Sequence, residues 1–462
     1  MKKIIVSLLL FTLIGIQAQN KQILYGFDKI PQGLLLNPGQ ENSYKSHIGV
    51  PLLSGLSVNA NVSGITVADL FRDDGLGGFN GTDFNDKLDA AVDNLEDKDY
   101  VSFNAQVEVI SAGYRLSNRD YLSFGFYEEI DVFVGFPKEL FILADEGNLN
   151  NLGKVFSASN VSVKAEVLGV LHAGITRRFN NRITAGARLK LYSGALSLKS
   201  PNNKGTLVTR LGADGSYITT LNNLDGEANS SGVYDEDDEV DISVGSVLGS
   251  TFLSKNIGVG IDLGFTYHIN EQLEITGSIL DLGFVNYSKN VRNGVVNGNY
   301  SFSGLDFGYD ENRDYIQELN DDFSDKVIRE ENNESYSVLR PIKINGSVRY
   351  SFGKSRNLET CHDIRFKDYY DNAVGAQLYA VSRPYGLRMA LTGFYEHKFA
   401  KFINTKVTYT IDDFSASNIG LGISTNFWKL NVYGLVDNVF RVGDIADANT
   451  ASLQFGINFI FN

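Results

Sequence analysis

The chain alternates between apolar and polar positions. From Ile257 to Tyr267 every odd position is apolar and every even position is Gly, Asp or Thr. The last segment repeats this, with Leu453, Phe455, Ile457, Phe459 and Phe461 on one parity and Gln454, Gly456 and Asn458 on the other. Val101, Phe103, Ala105 and Val107 oppose Ser102, Asn104, Gln106 and Glu108 in the same way. Ile342, Ile344, Val348 and Tyr350 oppose Lys343, Asn345, Ser347 and Arg349. A period of two means strands whose faces meet different surroundings. A soluble sandwich shows this period too, so strand length and the layout of connections must decide between the classes.

The pattern predicts about fourteen strands, near 46–62, 101–116, 120–135, 161–179, 182–197, 256–268, 272–287, 341–353, 372–382, 386–398, 402–412, 417–428, 429–440 and 452–461. Their lengths, about 11 to 17 residues, exceed the five or six usual in soluble proteins. A tilted strand crosses a bilayer in about 9–11 residues. Aromatic residues crowd one end of many strands: Phe179, Tyr267, Phe352, Phe399, Phe402, Phe427, Trp428 and Phe461. That placement resembles an interfacial girdle, whereas a soluble core would scatter the rings. The connections alternate as well. Tight turns fall at Ser117–Arg119, Asn180–Asn181, Ile269–Glu271, Phe399–Lys401 and Phe427–Trp428, and long connections at 63–100, 136–160, 198–255 and 288–340. Short periplasmic turns and long external loops are the plan of an outer-membrane barrel. Only 354–371 departs from it, being long on the turn side. The expected fold class is all-β: a transmembrane antiparallel β-barrel of residues 46–462, with an N-terminal luminal or periplasmic segment and long acidic external loops.

Lys2 and Lys3 precede an apolar run from Ile4 to Ile16, closed by Gln17, Ala18 and Gln19. This is the layout of a signal peptide, expected as residues 1–18 with cleavage after Ala18. A multi-pass outer-membrane location is the corresponding expectation, with membrane lipid as the first partner. The sequence has 46 Gly, 30 Phe and 23 Tyr against 7 Pro, which suits long ladders of strands. A single Cys361 excludes an internal disulfide. With 55 acidic and 41 basic side chains the formal charge is −14, which turns the chain away from nucleic acid. The acid is densest at Tyr234–Asp241, and Asp83–Leu95 and Arg313–Phe323 are expected as short helices in loops.

Between the leader and the first strand runs Tyr25-Gly-Phe-Asp, followed by Pro31-Gln-Gly-Leu-Leu-Leu-Asn-Pro-Gly39. Its Asn37-Pro38 resembles the Asn-Pro-Ala segment near the N-terminus of FadL-like fatty-acid transport barrels and of barrels associated with type IX secretion. Gly39 stands where Ala is usual. The whole mature chain, 341–462 above all, looks like an uncharacterised outer-membrane barrel family of bacteria with type IX secretion. The FadL-like resemblance implies a barrel of fourteen strands with residues 19–45 folded as a hatch inside it, Asn37 and Pro38 fixing a turn. The alternative is a periplasmic tail with an ordinary Asn-Pro turn.

If the apolar faces meet lipid, Glu108, Lys164, Glu166, Arg188, Lys190, Lys343, Arg349, Arg388, Glu396 and Lys406 line the interior. There they form either a solute path or a network of paired charges filling a closed barrel. Glu128 breaks its strand's pattern, sharing parity with Leu122, Phe124, Phe126 and Ile130. A carboxylate facing lipid is costly. Either the strand bulges around Tyr127–Glu129 or the wall opens sideways there for an apolar ligand. The acids of 235–241 lack the spacing of a calcium loop, so a solvated loop is expected. No local motif joins His47, His172, His268, His362 or His397 to a nucleophile or ligand set. No catalytic residue, metal or cofactor is therefore expected. Two functions stay open: passive transport of a small or hydrophobic molecule, as the FadL-like resemblance implies, or a non-enzymatic accessory barrel holding a secretion or surface protein partner on its acidic loops.

Overall fold

The computed structural model describes residues 21–461, apart from 67–91, 201–202, 235–243, 303–326, 356–365, 415–417 and 442–447 and residues 28, 148, 158, 214, 253, 401 and 413. The expected signal peptide, the acidic run 235–241, Cys361 and the helix expected at 313–323 lie outside the described residues. Of the helix expected at 83–95, residues 92–94 are described and are helical.

The wall is a closed antiparallel barrel of fourteen strands. Its first strand is made of two pieces, β1 (Ser46–Gly49) and β2 (Leu56–Val62). Next come β3 (Asp99–Arg115), β4 (Asp120–Phe136), β6 (Ser162–Arg178), β7 (Ile183–Ser200), β10 (Ile257–His268) and β11 (Leu273–Tyr287). A second divided strand, β14 (Tyr336–Leu339) and β15 (Lys343–Lys354), follows. The wall ends with β16 (Tyr370–Arg383), β17 (Gly386–Ala400), β18 (Ile403–Ile411), β19 (Asn418–Phe427), β20 (Leu430–Asp437) and β21 (Thr450–Phe461). Closure is made where β1 and β2 pair with β21 on one side and with β3 on the other. The alternation read from sequence becomes geometry here. Ile257, Val259, Leu263, Phe265 and Tyr267 are exposed on the outer face, while Asp262, Thr266 and His268 are buried inside. Exposed Ile344, Val348, Leu391, Tyr395, Val407, Tyr409, Leu421, Ile423, Leu453 and Phe459 continue that apolar outer band.

Three of the wall's local departures bear on the lumen and its flank. Residues 50–55 bow out between β1 and β2, exposing Leu52 and Leu53, before Glu108 N–H bonds Gly55 O at 2.8 Å. The irregularity beside Glu128 lies in β3, where the register jumps between Glu108 and Ile110, and β4 itself runs without a bulge through Tyr127–Glu129. β11 shifts register against β10 between Ile261 and Leu263, and Asp281 adopts φ 61° there. A non-glycine residue in that region is uncommon, and its own surroundings must hold it. The Asp262 carboxylate does so, accepting from Asp281 N–H at 2.7 Å.

The connections 136–160, 198–255 and 288–340 are more ordered than expected. They contribute β5 (Val155–Ser157), β8 (Asn203–Leu211), β9 (Tyr217–Ser231), β12 (Val291–Phe302) and β13 (Ile328–Asn332). Ladders β5–β8, β8–β9, β9–β12 and β12–β13 join them in one sheet, tied to the wall through Ser197–Lys199 of β7. The long turn-end connection is also real. It includes a short 3-10 helix, Phe366–Tyr369, leading into β16.

The turn end carries the aromatic belt: Phe179, Phe399, Phe402, Phe427 and Trp428 are all exposed, Trp428 by 87%. Trp428 is the only tryptophan, so its fluorescence reports one position. In reconstituted bilayers, lipids brominated near the headgroup should quench it more strongly than lipids brominated near the chain terminus. Stronger quenching by the deep label would contradict an interfacial belt.

Candidate functional site

Inside the wall runs the N-terminal segment. Residues 31–35 form a 3-10 turn begun by Pro31, whose fixed φ suits a first helical position. Tyr25 Oη meets Thr276 Oγ1 of β11 at 3.0 Å, and Lys406 Nζ of β18 donates to Tyr25 O at 2.8 Å. Gln377 of β16 donates to Gln22 O at 2.5 Å. Gln32 donates to Glu108 of β3 at 2.8 Å and to Asn458 of β21 at 2.9 Å. Lys21 donates to Gln106 of β3. Partners on strands all round the circumference are within reach only from the lumen. Ile23, Leu24, Phe27 and Ile30 pack there with Tyr433 and Leu435 of β20.

The Asn37-Pro38-Gly39 turn is the tightest contact between segment and wall. Asn37 Oδ1 accepts from Gly39 N–H at 2.9 Å, and Asn37 O accepts from Gln40 N–H at 2.9 Å. Asn37 Nδ2 reaches Phe265 O of β10 at 3.2 Å. Thr176 of β6 donates to Pro38 O at 2.6 Å, and Thr266 of β10 to Gly39 O at 2.9 Å. A Cβ at Gly186 would lie 2.0 Å from Pro38 O, and one at Gly264 2.2 Å from Asn37 Oδ1. A Cβ at residue 39 would come within 2.5 Å of Gly264 O. The turn therefore presses on bare backbone, which is the physical reason that Gly39 replaces the alanine of the resembling segments.

Beyond this turn the lumen holds a network of paired charges. Arg340 bridges Glu129 at 2.8 Å and Glu166 at 2.9 Å. Lys343 meets Asp281 at 2.9 Å, and Lys190 meets Asp262 at 2.9 Å and Asp281 at 2.5 Å. Arg383 holds Asp131 with bonds of 2.6 and 3.0 Å. Beside it lies an apolar patch of Tyr127, Leu168, Val170, Tyr192, Val285 and Tyr287, against which Leu35 of the N-terminal segment packs.

The charged residues singled out from sequence fall into four groups. Lys164, Glu166 and Arg188 belong to the network: Lys164 lies 3.6 Å from Glu166 and donates to Leu339 O at 2.8 Å. Arg188 pairs with Asp262 at 3.1 Å and donates to Leu34 O and Leu35 O of the segment. Arg349 sits apart in a second pair, 2.9 Å from Glu396, with Lys406 3.5 Å from the same carboxylate. Arg388 stacks over the Tyr100 ring at 4.9 Å. Glu128 stays on the outer face, where Thr251 donates to it at 2.8 Å and Phe252 lies edge-on to Phe126 at 5.6 Å. The residues entering β10 thus cover it, so no inward bulge is needed. Of the inner charges read from sequence, Lys164, Glu166, Arg188, Lys190, Lys343, Arg349, Glu396 and Lys406 thus each lie beside an opposite charge. Sequence reading missed Glu129, Asp131, Asp262, Asp281, Arg340 and Arg383. Parity already pointed Glu129, Asp131 and Asp262 inward; Asp281 and Arg340 lie at a bulge and a strand break, where parity fails.

A family model described as "Family of unknown function (DUF5723)" matches residues 38–437. The chain belongs to that family. No curated protein matches this DUF5723 sequence. Among solved structures it is similar to the toluene transporter TbuX of Ralstonia pickettii, with 10% identity, TM-score 0.41, 98% of this chain and 100% of that one covered. It is similar also to a Pseudomonas aeruginosa FadL homologue, with 8% identity, TM-score 0.44 and coverages of 97% and 99%. The Pseudomonas putida toluene transporter TodX gives 10% identity, TM-score 0.37 and coverages of 96% and 97%.

Removing Arg340 leaves Glu129 and Glu166 buried without their shared cation. Arg340→Met should lower stability by about 3–5 kcal/mol, read as a lower temperature for loss of the compact form on semi-native gels. Adding Glu129→Gln and Glu166→Gln should restore part of it. Gly39→Ala should cost about 1–3 kcal/mol by overpacking and raise protease cleavage within 21–45. Unchanged cleavage would show that the segment does not depend on this turn.

Proposed function

We propose that the protein is an outer-membrane barrel through which a small hydrophobic molecule passes when the N-terminal segment shifts. The observation that supports this most is the seating of residues 21–45. The described residues among them lie in the lumen and bond to strands on several sides of it, yet β1 starts only at Ser46, so the segment adds no strand to the wall. Such a segment can move while the wall stays closed. The apolar patch around Tyr127, Tyr192 and Tyr287, covered by Leu35, supports an apolar ligand over an ionic one. In this reading Asn37 and Pro38 anchor the hatch and the luminal charge pairs hold the wall rigid. Glu128 ties the residues before β10 to the barrel's flank instead of marking an exit. The apolar outer band supports an outer-membrane site, to which the signal peptide expected at residues 1–18 would direct the chain.

A second reading is a non-enzymatic interaction barrel of type IX secretion or surface assembly. The sheet formed by β5, β8, β9, β12 and β13 supports it, because a transporter needs no such platform above its wall. Liposomes containing the full-length protein should take up a labelled monoaromatic hydrocarbon faster than empty liposomes, and Gly39→Ala should raise that rate at least several-fold. Equal uptake by protein-containing and empty liposomes would sink the transport reading. A stoichiometric protein co-purifying in mild detergent would then support the second.

A further inference from the structure

Near the turn end of the lumen two side chains of the β10–β11 hairpin converge with one from the far N-terminal segment. Glu41 comes from the N-terminal segment, His268 from the last position of β10 and Glu274 from the start of β11. Their side chains are 8%, 3% and 4% exposed. His268 Nε2 lies 3.1 Å from Glu41 Oε2 and 3.7 Å from Glu274 Oε2, and one donor atom from each residue lies within 4.8 Å of the others. We propose that this cluster is a transition-metal site of the zinc class that clamps the N-terminal segment to the wall.

Several independent features support the assignment. Glu274 Oε2 is buried and accepts no hydrogen bond, a costly condition for a carboxylate oxygen unless something else satisfies it. Each carboxylate has its other oxygen already held. Lys367 Nζ lies 2.9 Å from Glu274 Oε1, and Thr184 Oγ1 donates to Glu41 Oε1 at 2.9 Å. Outer partners of this kind orient metal ligands. The two separations from His268 fit as well: bonds of about 2.1 Å in a tetrahedral zinc site set donor atoms roughly 3.4 Å apart, between 3.1 and 3.7 Å, and the two carboxylates lie within 4.8 Å of each other. One imidazole with two carboxylates suits zinc better than calcium or magnesium, which take oxygen donors in larger number. Three protein donors also leave a fourth position for water.

The one long turn-end connection gains a purpose from this arrangement. It supplies Lys367, and Phe366 lies edge-on to the His268 ring at 5.1 Å, roofing the cluster. The inference is independent of whether the lumen conducts. Its consequence is mechanical: a bound ion would join residue 41, four positions from the Asn37-Pro38 turn, to the β10–β11 hairpin.

The test uses full-length protein in detergent, stripped with a chelator and dialysed, then titrated with zinc by calorimetry. One zinc per chain should bind, and cobalt in its place should give visible d–d absorption. Glu41→Gln and His268→Gln should each weaken zinc at least tenfold, and Thr184→Ala by about 10–100-fold through lost orientation. Zinc should also slow protease cleavage within 21–45 of the wild type but not of Glu41→Gln. Heat-modifiable migration identifies the variants that still fold. If His268→Gln fails to fold, Glu41→Gln, on a segment outside the wall, decides. Absence of a one-to-one titration, or equal zinc affinity in wild type and Glu41→Gln, would overturn the proposal.

Discussion

Closure of the sheet is the constraint on which the rest depends. An open sheet leaves a row of unpaired backbone N–H and C=O groups along each edge, and only full closure removes them. Here the edges are removed where β1 and β2 meet β21. Closure fixes which face is inside, and most of the polar side chains along the fourteen strands are then gathered into one enclosed space. Charges in such a space need partners, because an unpaired buried ion costs far more than a paired one. The Arg340, Lys343, Lys190 and Arg383 pairs are the response of the wall to its own closure. The N-terminal segment is the response of the remaining volume.

Most of the wall was legible in the sequence because a strand with an apolar outer face and a polar luminal face writes the two as a period of two. Each of the fourteen stretches read from that period corresponds to a wall strand, to within a few residues at the ends. The loop sheet was not legible. β8 runs Asn-Lys-Gly-Thr-Leu-Val-Thr-Arg-Leu and β9 begins Tyr-Ile-Thr-Thr-Leu-Asn-Asn-Leu-Asp, where polar residues occupy both parities and no continuous apolar face imposes a contrast. β-branched Thr favours the strand, but period and propensity point different ways.

The inner site was legible in part. Parity predicts that Glu166, Arg188 and Arg349 face inward, and they do, each against an opposite charge. Parity cannot say which cation meets which anion, since that depends on register between strands far apart in sequence. It also fails at irregular positions: Asp281 faces its cations because β11 shifts register there, and Arg340 reaches two carboxylates from the gap between β14 and β15. Glu41, His268 and Glu274 show the same limit in another form, for no spacing in sequence announces a cluster assembled by a hairpin and a luminal turn.

The position of the N-terminal segment carries a consequence for assembly. The segment is synthesised before any strand, yet Gln32 bonds Asn458, 426 positions later, and Tyr25 bonds Thr276, 251 positions later. Thr276 lies on the seventh wall strand and Asn458 on the last, so the full set of partners exists only when the wall is nearly complete. The first strand is also the one that must seal against the last. The segment therefore has to be held inside the curling sheet while the seam zips, or be threaded in through an open end afterwards. Either route makes its docking among the last events of folding. A chain stalled before closure would show a full complement of strands with residues 21–45 still open to proteases.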